Sequence, residues 1–154
     1  MHLRKAIETD IGLIREMQHA AFAEMLERYR DYDMSPACES EETIRMKFMQ
    51  EKTTYYLICT DDDRPAGAVR VVDAKDGSRK RVSPIFILKE FRGQGLAQHA
   101  FAEIEKLYGS DHWALDTILQ EPGNCYLYEK LGYVRTGQTK KINGRMDIIY
   151  YEKN

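Results

Sequence analysis

The chain has almost none of the residues that mark a disulfide scaffold, a metal finger or a membrane protein. Its cysteines are Cys38, Cys59 and Cys125. They are odd in number and share no CxxC spacing, so neither a disulfide framework nor a zinc site is expected, and a reducing compartment fits. No apolar run approaches the ~18 residues that a membrane span needs. The opening Met1-His2-Leu3-Arg4-Lys5-Ala6-Ile7-Glu8 holds no apolar segment of the kind an export signal carries. A cytoplasmic protein without membrane partners is therefore expected. An excess of one charge is missing too: 23 Lys and Arg stand against 25 Asp and Glu, a net charge of -2. That balance gives no electrostatic footprint for nucleic acid. The one basic cluster, Arg79-Lys80-Arg81 after Asp76-Gly77, reads as the solvated flank of a hairpin or as an attractor for phosphates. Asp61, Asp62 and Asp63 lack the spaced ligands and closing glutamate of a calcium loop and read as a turn, so no metal is expected.

What remains is the composition of a globular protein. A chain of 154 residues, 43% hydrophobic and 31% charged, fits one domain with a full core. Leu3 to Ala6 reads as a short strand. Thr9 and Asp10 then offer capping oxygens to a helix from Ile11 to about Arg28, with Ile11, Ile14, Met17, Ala21 and Met25 on its apolar face. His19 in that helix reads as an ordinary surface histidine. The helical pattern breaks at Tyr29-Arg30-Asp31-Tyr32-Asp33, where aromatics mix with acids. A pocket rim for a cationic amine needs that mixture, and loop polarity explains it equally. Ser40 starts a second helix reaching about Glu51, with Glu41 and Glu42 on its positive end.

From Thr53 the period changes to that of strands. Thr53 to Thr60 and Ala66 to Val72 form a hairpin, and Val82 to Leu88 follows the Asp76-Gly77 turn. Pro84 lies within this third strand and cannot donate to a ladder, so pairing should loosen there. Further on, Trp113 to Thr117 reads as a buried strand and Asn124 to Leu131 as a helix ended by Gly132. Val134 to Thr139 and Met146 to Glu152 read as a last pair of strands around Asn143-Gly144.

The stretch around which all this is organised is Phe91 to Tyr108. Gly93 and Gly95 lack Cβ atoms, so the backbone from Arg92 through Gln94 and Leu96 to Ala97 can turn its N–H groups toward one point. A helical stripe of Leu96, Ala97, Ala100, Phe101, Ile104, Leu107 and Tyr108 follows, with Gly109 at its end. Unpaired amides at a helix start are natural ligands for phosphate oxygens. There is no third glycine in phase for a dinucleotide fold and no Gly-Lys-Ser/Thr of a P-loop.

The run Ile85-Phe86-Ile87-Leu88-Lys89-Glu90-Phe91-Arg92-Gly93-Gln94-Gly95-Leu96-Ala97 resembles the acyl-CoA-binding signature of the GNAT superfamily of N-acetyltransferases. Arg92, Gly95 and Ala97 stand at its three fixed positions. Asn124-Cys125-Tyr126-Leu127-Tyr128-Glu129-Lys130-Leu131-Gly132-Tyr133 is similar to that family's C-terminal helix motif, with Tyr for the final Phe. The resemblance implies an α/β (α+β) fold: a mixed, mainly antiparallel sheet of six or seven strands flanked by helices, in a single domain. It implies acetyl-CoA as co-substrate, with the diphosphate on the turn amides and the pantetheine arm beside Ile85, Phe86 and Ile87, where two strands splay. Tyr128 matches the family's tyrosine near the coenzyme sulfur and is the candidate general acid. Asn124 is carried over as a coenzyme contact, and an N-cap role would account for it alone. Asp73 and Asp116 are assigned no catalytic part.

The acceptor expected is a small cationic amine such as a polyamine, through Tyr29, Asp31, Tyr32 and Asp33. A protein amino terminus or lysine is the alternative within the enzyme class, and an acyl-CoA-binding sensor without turnover is the alternative outside it. A homodimer is compatible with the sequence.

Overall fold

In the computed structural model, which describes residues 1–154, the β-rich segments assemble into one seven-stranded sheet with helices on both faces. The strands are β1 (His2–Lys5), β2 (Thr53–Cys59), β3 (Pro65–Val72), β4 (Lys80–Ile87), β5 (Trp113–Ile118), β6 (Val134–Asn143) and β7 (Met146–Lys153). The helices are α1 (Ile11–Tyr29), α2 (Glu41–Phe48), α3 (Leu96–Tyr108) and α4 (Pro122–Lys130). The spatial order is β1-β2-β3-β4-β5-β7-β6. Every pairing is antiparallel except β4 with β5, which is parallel. No helix is long and apolar enough to cross a membrane.

Strand alternation feeds two cores. Tyr55, Leu57, Cys59 and Ala68 face α1 and α2, where they meet Ile11, Ile14, Met17 and Ile44. Ile58, Val69 and Val71 face the other way, toward Ala100, Phe101 and Ile104 of α3 and Cys125 and Tyr128 of α4. Full burial of one such isoleucine stabilises the fold by roughly 1.5–3 kcal/mol. Leu107, expected on the apolar stripe of α3, is 61% exposed instead. It points away from the sheet, and the next residue, Tyr108, is the one that packs edge-on against Tyr56 of β2 and Trp113 of β5.

Helix ends differ in detail from expectation. Asp10 does not cap α1; its carboxylate accepts the Ile7 N–H at 2.9 Å across a 3-10 turn at Glu8–Asp10. Ser40 does cap α2, its Oγ accepting the Thr43 N–H at 3.1 Å. The helix expected from Asn124 begins at Pro122, a residue suited to a first turn because it has no N–H to leave unpaired. Asn124 is therefore inside α4 and is not its cap.

The feature that positions the site is a fork between β4 and β5. The pairs Lys80↔Trp113 and Arg81↔Ala114 are the only rungs joining them. Beyond these the strands part, and on its other side β4 carries an irregularity where Arg70 of β3 stands opposite Ser83-Pro84. The loosening expected at Pro84 is present. The basic cluster fastens the closed end of the fork: Arg79 donates to the Trp113 carbonyl at 3.2 Å, and Lys80 Nζ lies 5.1 Å from the centre of the Trp113 ring. It stands at the opposite end of β4 from the glycine turn, so it does not serve as a phosphate attractor there.

Candidate active site

β4 runs through a 3-10 turn at Lys89–Phe91 into the glycine turn and α3. Gly93 and Gly95 have φ of 79° and 75°, the left-handed region that glycine enters without a Cβ clash. A Cβ built on either would meet no atom within 4 Å, so the space over the turn is open. The Arg92 N–H is bound to the Lys89 carbonyl, and the next paired amide is His99, bound to the Gly95 carbonyl. Between them the amides of Gly93, Gln94, Gly95, Leu96, Ala97 and Gln98 have no acceptor in the protein, and no side chain caps α3. Six free donors at the positive end of a helix are the kind of group an anion takes. The Arg92 side chain does not add to it. Its Nε donates to the Ile87 carbonyl and its Nη2 to the Ala21 carbonyl, each at 2.9 Å, bracing the turn against α1 and β4.

The open fork forms one wall of a cavity of about 410 Å³. Val82, Ser83, Pro84 and Ile85 line it from β4, Asp116, Thr117 and Ile118 from β5, and Tyr128 from α4. Of the three β4 residues expected beside the pantetheine arm, Ile85 borders the cavity. Phe86 turns to the opposite face and packs edge-on against Phe22 with ring centres 5.7 Å apart. Ile87 joins the α3-side core, and its carbonyl is taken by Arg92.

Tyr128 is 8% exposed, and its hydroxyl has no hydrogen-bond partner in the protein. Phe101 at 5.9 Å and Tyr133 at 6.2 Å hold its ring edge-on, and both contacts are apolar. Burial first, then the Asp116 carboxylate and Cys125, push its phenol up to about 12. It is therefore protonated at neutral pH and has a proton to give. One helical turn earlier, Asn124 Nδ2 donates to Thr117 Oγ1 at 3.2 Å, tying α4 to β5 and fixing the face that carries Tyr128.

The far wall comes from the end of α1 and the chain after it. Tyr29 and Asp31 line the cavity, whereas Tyr32 and Asp33 are exposed and lie outside it. The Tyr29 hydroxyl donates to Glu121, which also pairs with Arg28 at 2.6 Å; burial, then that carboxylate, push the Tyr29 phenol up. Asp31 is 8% exposed, and its carboxylate accepts only the Met34 N–H, at 3.1 Å, with no cation of the protein paired to it. The other acids lining the cavity are occupied: Glu39 is held by Lys47, and Asp116 by Arg81 at 2.8 Å. Glu39, Lys47 and Thr117 carry no motif, and their arrival at one cavity is set by tertiary packing alone. Asp116 could be noticed in the sequence at a strand end, but its Arg81 partner could not.

A parted parallel pair, a glycine turn with free amides and a buried tyrosine on α4 agree with the sequence resemblance. The acetyltransferase (GNAT) domain model matches residues 25–151. The chain belongs to the GNAT family. It is an N-acetyltransferase by that membership, and no curated protein matches it in sequence. Solved structures agree in fold. One is a spermidine N-acetyltransferase from Vibrio cholerae in complex with CoA and spermine: 17% identity, TM-score 0.73, covering 97% of this chain and 92% of that one. Another is the ribosomal-protein-S18-alanine N-acetyltransferase from Escherichia coli: 17% identity, TM-score 0.71, covering 97% and 90%. The GNAT fold is thus common to enzymes named for a polyamine and for a protein amino terminus.

Proposed function

We propose that this GNAT domain moves an acetyl group from acetyl-CoA to a primary amine, and that the acceptor is a small cationic amine of the polyamine class. The observation carrying this reading is that one cavity holds both the Tyr128 hydroxyl, which has no partner in the protein, and the Asp31 carboxylate, which has no cation paired to it. The residues present fit the coenzyme. The six free amides from Gly93 to Gln98 would take its diphosphate, and the β4 edge at Ile85 would flank its arm. Acetyl-CoA supplies the thioester that makes the acyl group transferable.

Everything else is the work of the chain's own groups. Holding two reactants in register can lower the barrier by ~7–11 kcal/mol at ideal geometry. Tyr128 keeps a proton on its phenol oxygen, where a leaving sulfur would need one, and the surrounding apolar rings that raise this phenol also disfavour a naked thiolate. An attacking amine must be neutral. A polyamine resolves that demand, because one charged nitrogen can pair with Asp31 while a different, deprotonated nitrogen reaches the thioester. The V. cholerae enzyme solved with spermine supports the class.

The test is a panel of monoamines, diamines, polyamines and amino-terminal peptides assayed by thiol release from acetyl-CoA. Polyamines should turn over fastest. Asp31→Asn should raise their KM about tenfold or more, a charge-assisted hydrogen bond contributing ~1.5–3 kcal/mol. Turnover of peptides alone would move the acceptor to protein, and no thiol release with any amine would remove the catalytic reading.

A further inference from the structure

A second group of chemically competent side chains lies at the β1 edge of the sheet, separate from the cavity. His2 and Cys59 are direct cross-strand partners in the β1–β2 ladder, so their side chains share a face. Asp63 joins them from the β2–β3 turn, where it holds a left-handed φ of 65°. That turn is firmly built: the Thr60 N–H binds the Arg64 carbonyl, the Asp63 N–H binds the Thr60 carbonyl, and the Arg64 N–H binds Thr60 Oγ1. His2 Nε2 stands 2.9 Å from Asp63 Oδ1, and one ligand atom from each of the three residues lies within 4.8 Å of the others.

We propose that His2, Cys59 and Asp63 form a binding site for a divalent cation of the zinc type, with water in the fourth position. Nitrogen, sulfur and carboxylate oxygen are the donors zinc takes. Bonds of ~2.0–2.3 Å in a tetrahedron put ligand atoms about 3.3–3.7 Å apart, so closing this trio from within 4.8 Å asks for about 1.5 Å of side-chain motion at most. Charge fits as well. A metal that displaces the Cys59 proton would meet two negative charges, the thiolate and the Asp63 carboxylate, while the nearby Arg4 and Asp10 pair with each other across 3.5 Å. Cys59 is 1% exposed and forms the floor, and His2 and Asp63 are exposed and leave an entry from solvent. A search for paired cysteines misses such a site, because its spacing is set by strand register and by the turn after it.

Tag-free, reduced protein titrated with Co²⁺ decides the matter. One equivalent should bind with a thiolate-to-cobalt charge-transfer band in the near ultraviolet, displaced by Zn²⁺. Cys59→Ser should abolish the band and Cys38→Ser should leave it. His2→Ala, at an exposed position that leaves the core untouched, should weaken binding about tenfold or more, at least the loss seen when a ligand's outer partner is removed. Affinity should rise with pH, because the bound thiol must lose its proton. Absence of the band in the parent protein, its survival in Cys59→Ser, or an unchanged affinity in His2→Ala would each overturn the proposal and leave a plain His2–Asp63 hydrogen bond.

Discussion

Arg81, in the last rung that joins β4 to β5, donates at 2.8 Å to Asp116, two residues past its ladder partner Ala114. The pair stands at the narrow end of the fork, and its carboxylate is the same one that helps raise the Tyr128 phenol. Both side chains are more than a third exposed, so water screens the pair. A double-mutant cycle with Arg81→Ala and Asp116→Ala, followed by urea denaturation, should return a coupling of only ~0.2–1 kcal/mol. The pair locates the fork; burial stabilises it.

Gly95→Ala tests the glycine turn. The new Cβ meets no protein atom, but a left-handed alanine costs about 1–2 kcal/mol. It would also stand in the open space over the free amides. Calorimetry should show CoA affinity falling about tenfold or more, each tenfold being ~1.4 kcal/mol, with only a modest drop in melting temperature.

Tyr128→Phe removes an oxygen that has no protein partner, so the fold should lose little. If the phenol is the general acid, kcat should fall about 10²-fold or more while CoA affinity holds. An unchanged kcat would leave Tyr128 as a packing residue only.

Alkaline pH should destabilise the fold in a defined window. Tyr55 and Tyr128 are both raised from 10.0 to about 12, chiefly by burial. The folded chain therefore keeps protons that the unfolded chain releases, and stability is full below an unfolded value of ~10 and is lost as pH rises through the folded value. Melting temperature should be insensitive to these groups up to about pH 9 and should decline above it, less steeply in Tyr128→Phe. The same shift places any loss of activity through Tyr128 deprotonation well above pH 9.

Gly67→Ala should be the most damaging small substitution in the sheet. Gly67 pairs with Ile87 of β4, and a Cβ on it would lie 2.0 Å from the Phe86 carbonyl oxygen, a backbone atom with no room to retreat. A loss of about 3 kcal/mol or more by chemical denaturation is expected, at the upper end for overpacking.

Much of the fold was legible because it is written in short-range physics. The strand period of Thr53 to Cys59 and the Ser40 cap depend on neighbours within a few residues, and so does the glycine turn before α3. The expectations that shifted did so where distant atoms compete. Asp10 turned back to Ile7, Leu107 turned to solvent while Tyr108 took the sheet, and Arg92 gave its guanidinium to the carbonyls of Ile87 and Ala21. The aromatic and acidic run after α1 divided in two: Tyr29 and Asp31 line the cavity, and Tyr32 and Asp33 face solvent.

The sequence by itself determined the family and the glycine turn with its free amides, because left-handed glycines and a following helix need no partner from elsewhere in the chain. Tertiary structure alone decided which acid is left without a cation. Asp31, Glu39 and Asp116 are alike in sequence, but Lys47 and Arg81 reach only the last two. It also brought His2, Cys59 and Asp63 within 4.8 Å of one another. Ion pairing and metal ligation depend on distances of a few ångströms between residues tens of positions apart, and only strand register and packing set those distances.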